Sequence, residues 1–251
     1  MLTTLLEKVS NRLCLKSNSQ LSIISILAVT GPLVILTAGI WDAINHIQNS
    51  PEFFWSDPHI VVYAGVTLVA VGSFFAIDLL SRLNSVLLPD APWVHGLQAQ
   101  EAKVEFTLQR LLSDMTITTL LLNGIVMVAA PAFGEEFFFR GVLQRLFSER
   151  GSHHLAILLT ALCFGLVHMQ PLSLLPILFM GVIFGYIKHW TGTLWAPIAL
   201  HFVNNGFALG SAYLNNGQLL TESTLNGTLW SLLGVFALTA GLWILSRLKS
   251  A

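Results

Sequence analysis

Six residues in three short stretches have the types and spacing to do chemistry together. Glu135, Glu136 and Arg140 lie in one stretch, His168 in a second, and His201 with Asn205 in a third. A carboxylate and an imidazole held close together activate water as a general base. A histidine and an asparagine from another element donate hydrogen bonds to a developing oxyanion. Glu135 with His168, and His201 with Asn205, are thus the parts of a hydrolase acting on an amide. An alternative assembly is a metal centre, with Glu135, His168 and His201 binding zinc and water in the fourth position. No H-E-x-x-H helix accompanies it. There is no G-x-S-x-G, and Cys163, five residues before His168, faces elsewhere on a helix, so a covalent nucleophile is unsupported.

Helical spacing relates these residues. Glu136 and Arg140 are i,i+4 and share a face, so they can pair, while Glu135 points about 100° away and keeps its carboxylate free. Phe164 with His168, and His201 with Asn205, are also i,i+4. A turn at Gly151 would make 135–148 and 155–170 an antiparallel hairpin. Glu135 lies 16 residues before that turn and His168 17 after it. Both stand about 25 Å from the turn at 1.5 Å per residue, at a depth where they can meet.

The elements that must position them are apolar. The chain has 251 residues, 54% hydrophobic and only 10% charged, with 12 basic and 13 acidic side chains. A soluble domain carries about 25% charged residues. The low charge excludes intrinsic disorder, and a net charge of −1 without a basic stripe argues against nucleic-acid binding. Two cysteines, Cys14 and Cys163, build neither a disulfide framework nor a cysteine zinc site. The composition predicts an all-α, polytopic transmembrane helix bundle in a lipid bilayer. Spans are expected at 21–41, 59–80, 115–133, 155–170, 172–189, 194–212 and 227–246, with 135–148 as a short or re-entrant eighth helix. Joined to 115–133 it would run about 51 Å, and Pro131 and Gly134 supply a break. With eight alternating helices, every Lys and Arg except Arg140 falls on one side, which predicts cytoplasmic termini. Residues 97–112 read as an amphipathic surface helix. The pairs Gly181–Gly185 and Gly206–Gly210 read as ordinary close packing. Against this background a central charge costs about 2.5–3.5 kcal/mol on insertion scales, so the buried ionisable cluster is itself a functional signal.

The three stretches also carry a resemblance. Glu135-Glu136-Phe137-Phe138-Phe139-Arg140 reads EExxxR, Phe164 to His168 reads FxxxH, and His201 to Asn205 reads HxxxN, in that order on separate apolar helices. This resembles the CPBP family of intramembrane proteases, which includes CAAX prenyl endopeptidases and bacteriocin-processing or self-immunity proteins. The resemblance covers 115–212, and implies a catalytic helical core there. Residues 1–114 would supply N-terminal transmembrane helices and the amphipathic helix, and 213–251 a loop and a last helix. The resemblance implies that Glu135 and His168 activate water, that His201 and Asn205 form the oxyanion hole, and that Glu136 and Arg140 brace the site. It implies no cofactor, with zinc the lesser alternative, and a membrane-associated protein or peptide as substrate. In a bacterium the location would be the inner membrane. CAAX processing takes place at the cytosolic face, whereas the charge count sets Glu135 and His168 toward the outer leaflet. Prenyl specificity is therefore left out of the expectation. A non-proteolytic immunity or binding protein, and a transporter using the buried charges as a proton relay, stand as the competing functions.

Overall fold

A computed structural model of the protein describes residues 60–99, 102, 112, 116–168, 170–214 and 228–248. The expected span 21–41, the loop 42–58 and most of the segment 97–112 lie outside the described residues.

Every regular element among the described residues is helical, and there are seven helices. They are α1 (Ile60–Leu87), α2 (92–99), α3 (Ile117–Ser148), α4 (His153–Val167), α5 (Leu174–Thr191), α6 (Trp195–Leu214) and α7 (Thr228–Ser246). By length and composition alone, three helices among the described residues suffice to cross a membrane: α1, α3, and α5 with its preceding 3-10 turn, Pro171–Thr191. α6 has 20 residues, but His201, Asn204 and Asn205 interrupt its apolar run. α4, at 15 residues, spans about 22 Å, short of the roughly 30 Å hydrocarbon core.

Local chemistry sets the ends. Thr116 caps α3 by accepting from the Thr119 N–H at 3.3 Å, and Ser152 caps α4 through Leu155 N–H at 3.2 Å. α5 stops at Gly192, whose φ of 69° is left-handed, a conformation glycine adopts without a Cβ penalty. α1 runs past its expected end at 80. The Asp78–Arg82 pair at 3.2 Å lies on its extension, and Pro89 follows its last turn.

The expected break at Pro131 and Gly134 is absent. The expected span and the segment 135–148 merge into one continuous helix of 32 residues, α3, from Ile117 to Ser148. Its ladder changes instead, to π turns at Gly124–Ala129 and Phe137–Leu143. A wider turn ahead of Pro131 carries the carbonyl of the previous turn away from the ring, so the proline is absorbed without ending the helix. A separate helix at 135–148 is therefore absent among the described residues, and the side assignment that counted it loses its support.

α3 and α5 run parallel, with α4 antiparallel between them. Arg140 Nη2 donates to Gly181 O at 3.0 Å and Gln144 Nε2 to Gly185 O at 3.1 Å, one helical turn further on both chains. Glycine makes the approach close: a Cβ on Gly185 would stand 2.8 Å from Ile157 Cγ2, and one on Gly181 3.1 Å from Ala161 Cα. At the other pair, Gly206 meets Val128 only at 3.7 Å and Gly210 faces open space. A second glycine seam joins α1 to α7. A Cβ on Gly72 would lie 2.4 Å from the Leu238 backbone nitrogen, and one on Gly241 2.8 Å from Val69 N. The core that these seams enclose is centred on Val69, Phe139, Phe164, Phe184, Ile187 and Leu200.

Candidate active site

α3 enters this core with two carboxylates and a guanidinium. Glu136 and Arg140 are fully buried, and Arg140 Nη1 donates to Glu136 Oε1 at 3.0 Å. The expected i,i+4 pair is therefore present. Arg140 is also enclosed by rings: its Cζ lies 4.5 Å from the Phe164 centroid and 5.0 Å from that of Phe184. Those faces favour a desolvated cation, and the Gly181 carbonyl takes a second N–H.

α6 brings His201 to the same carboxylate. His201 Nδ1 stands 3.0 Å from Glu136 Oε1, and the ring stacks on Phe184 at 5.0 Å. An ionised carboxylate only accepts, so Nδ1 donates and Nε2 is the nitrogen left for other partners. Glu136 thus holds Arg140 and His201 through one oxygen.

Glu135 and His168 meet less tightly. His168 Nε2 is 3.9 Å from Glu135 Oε2, and both side chains are about a quarter exposed, at 27% and 25%. That separation is too long for a hydrogen bond. His168 Nδ1 lies 2.7 Å from Phe164 O. A backbone carbonyl only accepts, which puts the proton on Nδ1 and leaves Nε2 of the neutral ring as an acceptor. Two acceptors thus face each other, and Glu135 Oε2 has no protein hydrogen-bond partner.

A cavity of about 270 Å³ opens between α1, α4, α5 and α6, with His168, His201, Asn204 and Asn205 in its wall opposite Ile77 and Ile177. The one-turn gap between α4 and α5 supplies Ser173 to the same wall. Asn84 of α1 fixes that gap, accepting from Leu175 N–H at 3.1 Å and donating to Leu172 O at 2.6 Å.

The structure brings all six expected residues to one place. Asn205 is engaged, however: its Nδ2 donates to Met127 O on α3 at 3.3 Å. Gln144, Phe184 and Asn84 had no expected role. For Gln144 a signal existed, because Arg140–Gln144 and Gly181–Gly185 share one four-residue step. Nothing in the sequence singles Phe184 out of 16 phenylalanines. Among the described residues no three His, Cys, Asp or Glu side chains converge to hold a metal ion. Glu135, His168 and His201 do not form such a set.

Residues 117–207, which contain all six, match the family model described as type II CAAX prenyl endopeptidase Rce1-like. No curated protein and no solved structure gives a significant match to the chain.

Proposed function

From the membership of residues 117–207 in the Rce1-like family, we propose that the protein is a multi-pass integral membrane endopeptidase that cleaves a membrane-associated protein or peptide. The observation that carries this reading is the pair of acceptors at Glu135 Oε2 and His168 Nε2, 3.9 Å apart. One water donating two hydrogen bonds of about 2.8 Å spans acceptors about 4 to 4.5 Å apart. A small rotation of either side chain admits it, and its oxygen lone pairs are then free for a carbonyl carbon.

In this reading the water oxygen attacks the scissile carbonyl while Glu135 takes a proton from it. The C=O bond opens to an oxyanion. His201, with Nδ1–H on Glu136, donates Nε2–H to that oxygen as an imidazolium, and Asn205 donates its second amide N–H. Glu135 then returns its proton to the leaving nitrogen, the C–N bond breaks, and a carboxylic acid and an amine depart, the acid then passing its proton to the amine or to solvent. Arg140 and Glu136 stay out of the bond changes and hold His201 in place. No step requires a metal.

The cavity favours a peptide with an apolar side chain, because Ile77, Ile177 and Met180 line it beside the two histidines. The α4–α5 gap supports water access: non-helical backbone at membrane depth is tolerated where it lines a wet cavity. The family's prenyl substrates are the first to try, since the objection drawn from eight alternating helices has fallen with the break at Pro131.

The test is peptide hydrolysis by purified protein in lipid vesicles. Prenylated and unprenylated C-terminal peptides are offered, and products are read by mass spectrometry. A single defined cut made by the wild type and lost in His168→Ala supports the reading. Products that persist in His168→Ala would assign them to a contaminant.

A further inference from the structure

Asn205 does not hang free in the cavity wall, and the reason lies eight residues outside the motif, on another helix. In an α-helix the N–H of residue 131 would bond the carbonyl of Met127. Residue 131 is proline, which has no N–H. The π turn just before it ends with Ala130 N–H on Ile125 O, and at residue 131 the donor that Val126 O would take if that register continued, or Met127 O where the α register resumes, is absent. Met127 O accepts from Asn205 Nδ2 instead, at 3.3 Å. A carboxamide has two N–H groups. Fixing one on α3 fixes the plane of the other, and Asn205 sits one turn after His201 in the cavity wall.

We propose that Pro131 is a positioning residue for Asn205: by withholding its N–H it creates the backbone acceptor that orients the Asn205 amide toward the cavity. This rests on the proteolytic reading for its catalytic part and on the Met127 contact alone for its structural part. Pro131→Ala supplies an N–H to Met127 O and releases the amide. Removing a helix-interior proline does not threaten folding, so the variant reports on orientation.

The experiment is a pair of double-mutant cycles with Pro131→Ala and Asn205→Ala in the full chain, one read by thermal unfolding and one by peptide cleavage. In the first, Asn205→Ala lowers the midpoint of the otherwise wild-type protein by about 2–4 °C, the loss of one hydrogen bond, and by less than half of that when Pro131 is already alanine. In the second, Pro131→Ala lowers kcat by about 10-fold or more with KM little changed, up to the roughly 10²–10³-fold loss expected when an oxyanion donor is removed outright. It has no further effect in the Asn205→Ala background. Additive midpoints overturn the link between the two residues. Coupled midpoints with an unchanged kcat in Pro131→Ala overturn the positioning role. If the wild type cleaves no peptide, the proteolytic reading fails, and the thermal cycle still decides whether Pro131 sets the Asn205 contact.

Discussion

Glu135 and Glu136 are neighbours on α3, and each faces a histidine, yet their surroundings are opposite. Glu136 is fully buried, touches His201 at 3.0 Å and shares one oxygen with Arg140. Glu135 is a quarter exposed and stands 3.9 Å from His168, acceptor against acceptor. At the closed pair Glu136 Oε1 is matched by both Arg140 and His201, while Oε2 is buried without a hydrogen-bond partner. An open pair has unmet hydrogen-bonding capacity and room for a small reactant. The 100° step between adjacent helical residues is what sends one carboxylate to Arg140 and His201 and the other toward His168. On this view Glu136 and Arg140 are the scaffold that holds His201 toward the oxyanion, and Glu135–His168 is the part that activates water.

The comparison breaks most visibly at Arg140. Arg140→Ala strands the Glu136 carboxylate in the core, and removing one partner of a buried pair costs about 3–5 kcal/mol. Folded yield and the unfolding midpoint in detergent should both collapse. A midpoint equal to the wild type's would mean that the closed pair is not closed. Arg140→Lys should recover only part of the loss, because an ammonium cannot span Glu136 and Gly181 O as the guanidinium fork does.

A smaller effect is expected at Gly181. A Cβ there would stand 3.1 Å from Ala161 Cα and Cβ, forcing α4 and α5 apart and lifting the Gly181 carbonyl from Arg140. Overpacking of this kind costs about 1–3 kcal/mol. Gly210→Ala, with nothing within 4 Å of its Cβ, is the matched control and should leave the midpoint unmoved. Equal shifts in the two variants would place the sensitivity in helix propensity and not in the α4–α5 seam.

At the open pair the two readouts should separate. His168→Gln loses the bond to Phe164 O, worth about 0.5–1.5 kcal/mol net, so stability falls little. Cleavage should drop by about 10²–10⁴-fold, the range for a general base group. A variant that loses stability and activity in proportion would make His168 a packing residue.

Much of this site is legible in the sequence because charge is so conspicuous in an apolar chain. Glu135, Glu136, Arg140, His168, His201 and Asn205 stand out by their insertion cost, and counting residues back from Gly151 places Glu135 level with His168. The i,i+4 rule gives the Arg140–Glu136 contact directly. The misreading of Pro131 has a physical origin. Proline forbids one hydrogen bond but does not dictate how the helix responds, and a π turn solves the clash as well as a break does. The Asn205–Met127 bond follows from that same response, so it was hidden for the same reason. Phe184 and the α1–α7 glycine seam depend on which helices are neighbours, and periodicity within one helix says nothing of that. Asn84 caps a helix start 91 residues away, a partnership with no local signature.

The smallest expected effect is that of chelation. With no three His, Cys, Asp or Glu side chains converging among the described residues, protein dialysed against a strong chelator should keep its cleavage rate and contain no stoichiometric zinc. Activity lost on stripping and restored by zinc would turn the same residues into a metal centre.

The central claim is that Glu135, and not Glu136, takes the proton from water. Its most direct test is the cleavage rate and unfolding midpoint of Glu135→Gln beside those of Glu136→Gln, in one lipid preparation. Glutamine keeps the shape of each side chain and removes its basicity. The account expects Glu135→Gln to keep a midpoint close to the wild type's while cleavage falls by about 10²–10⁴-fold, and Glu136→Gln to lose its midpoint as Arg140 is left without a counter-ion. A well-folded Glu135→Gln protein that cleaves at the wild-type rate would contradict it.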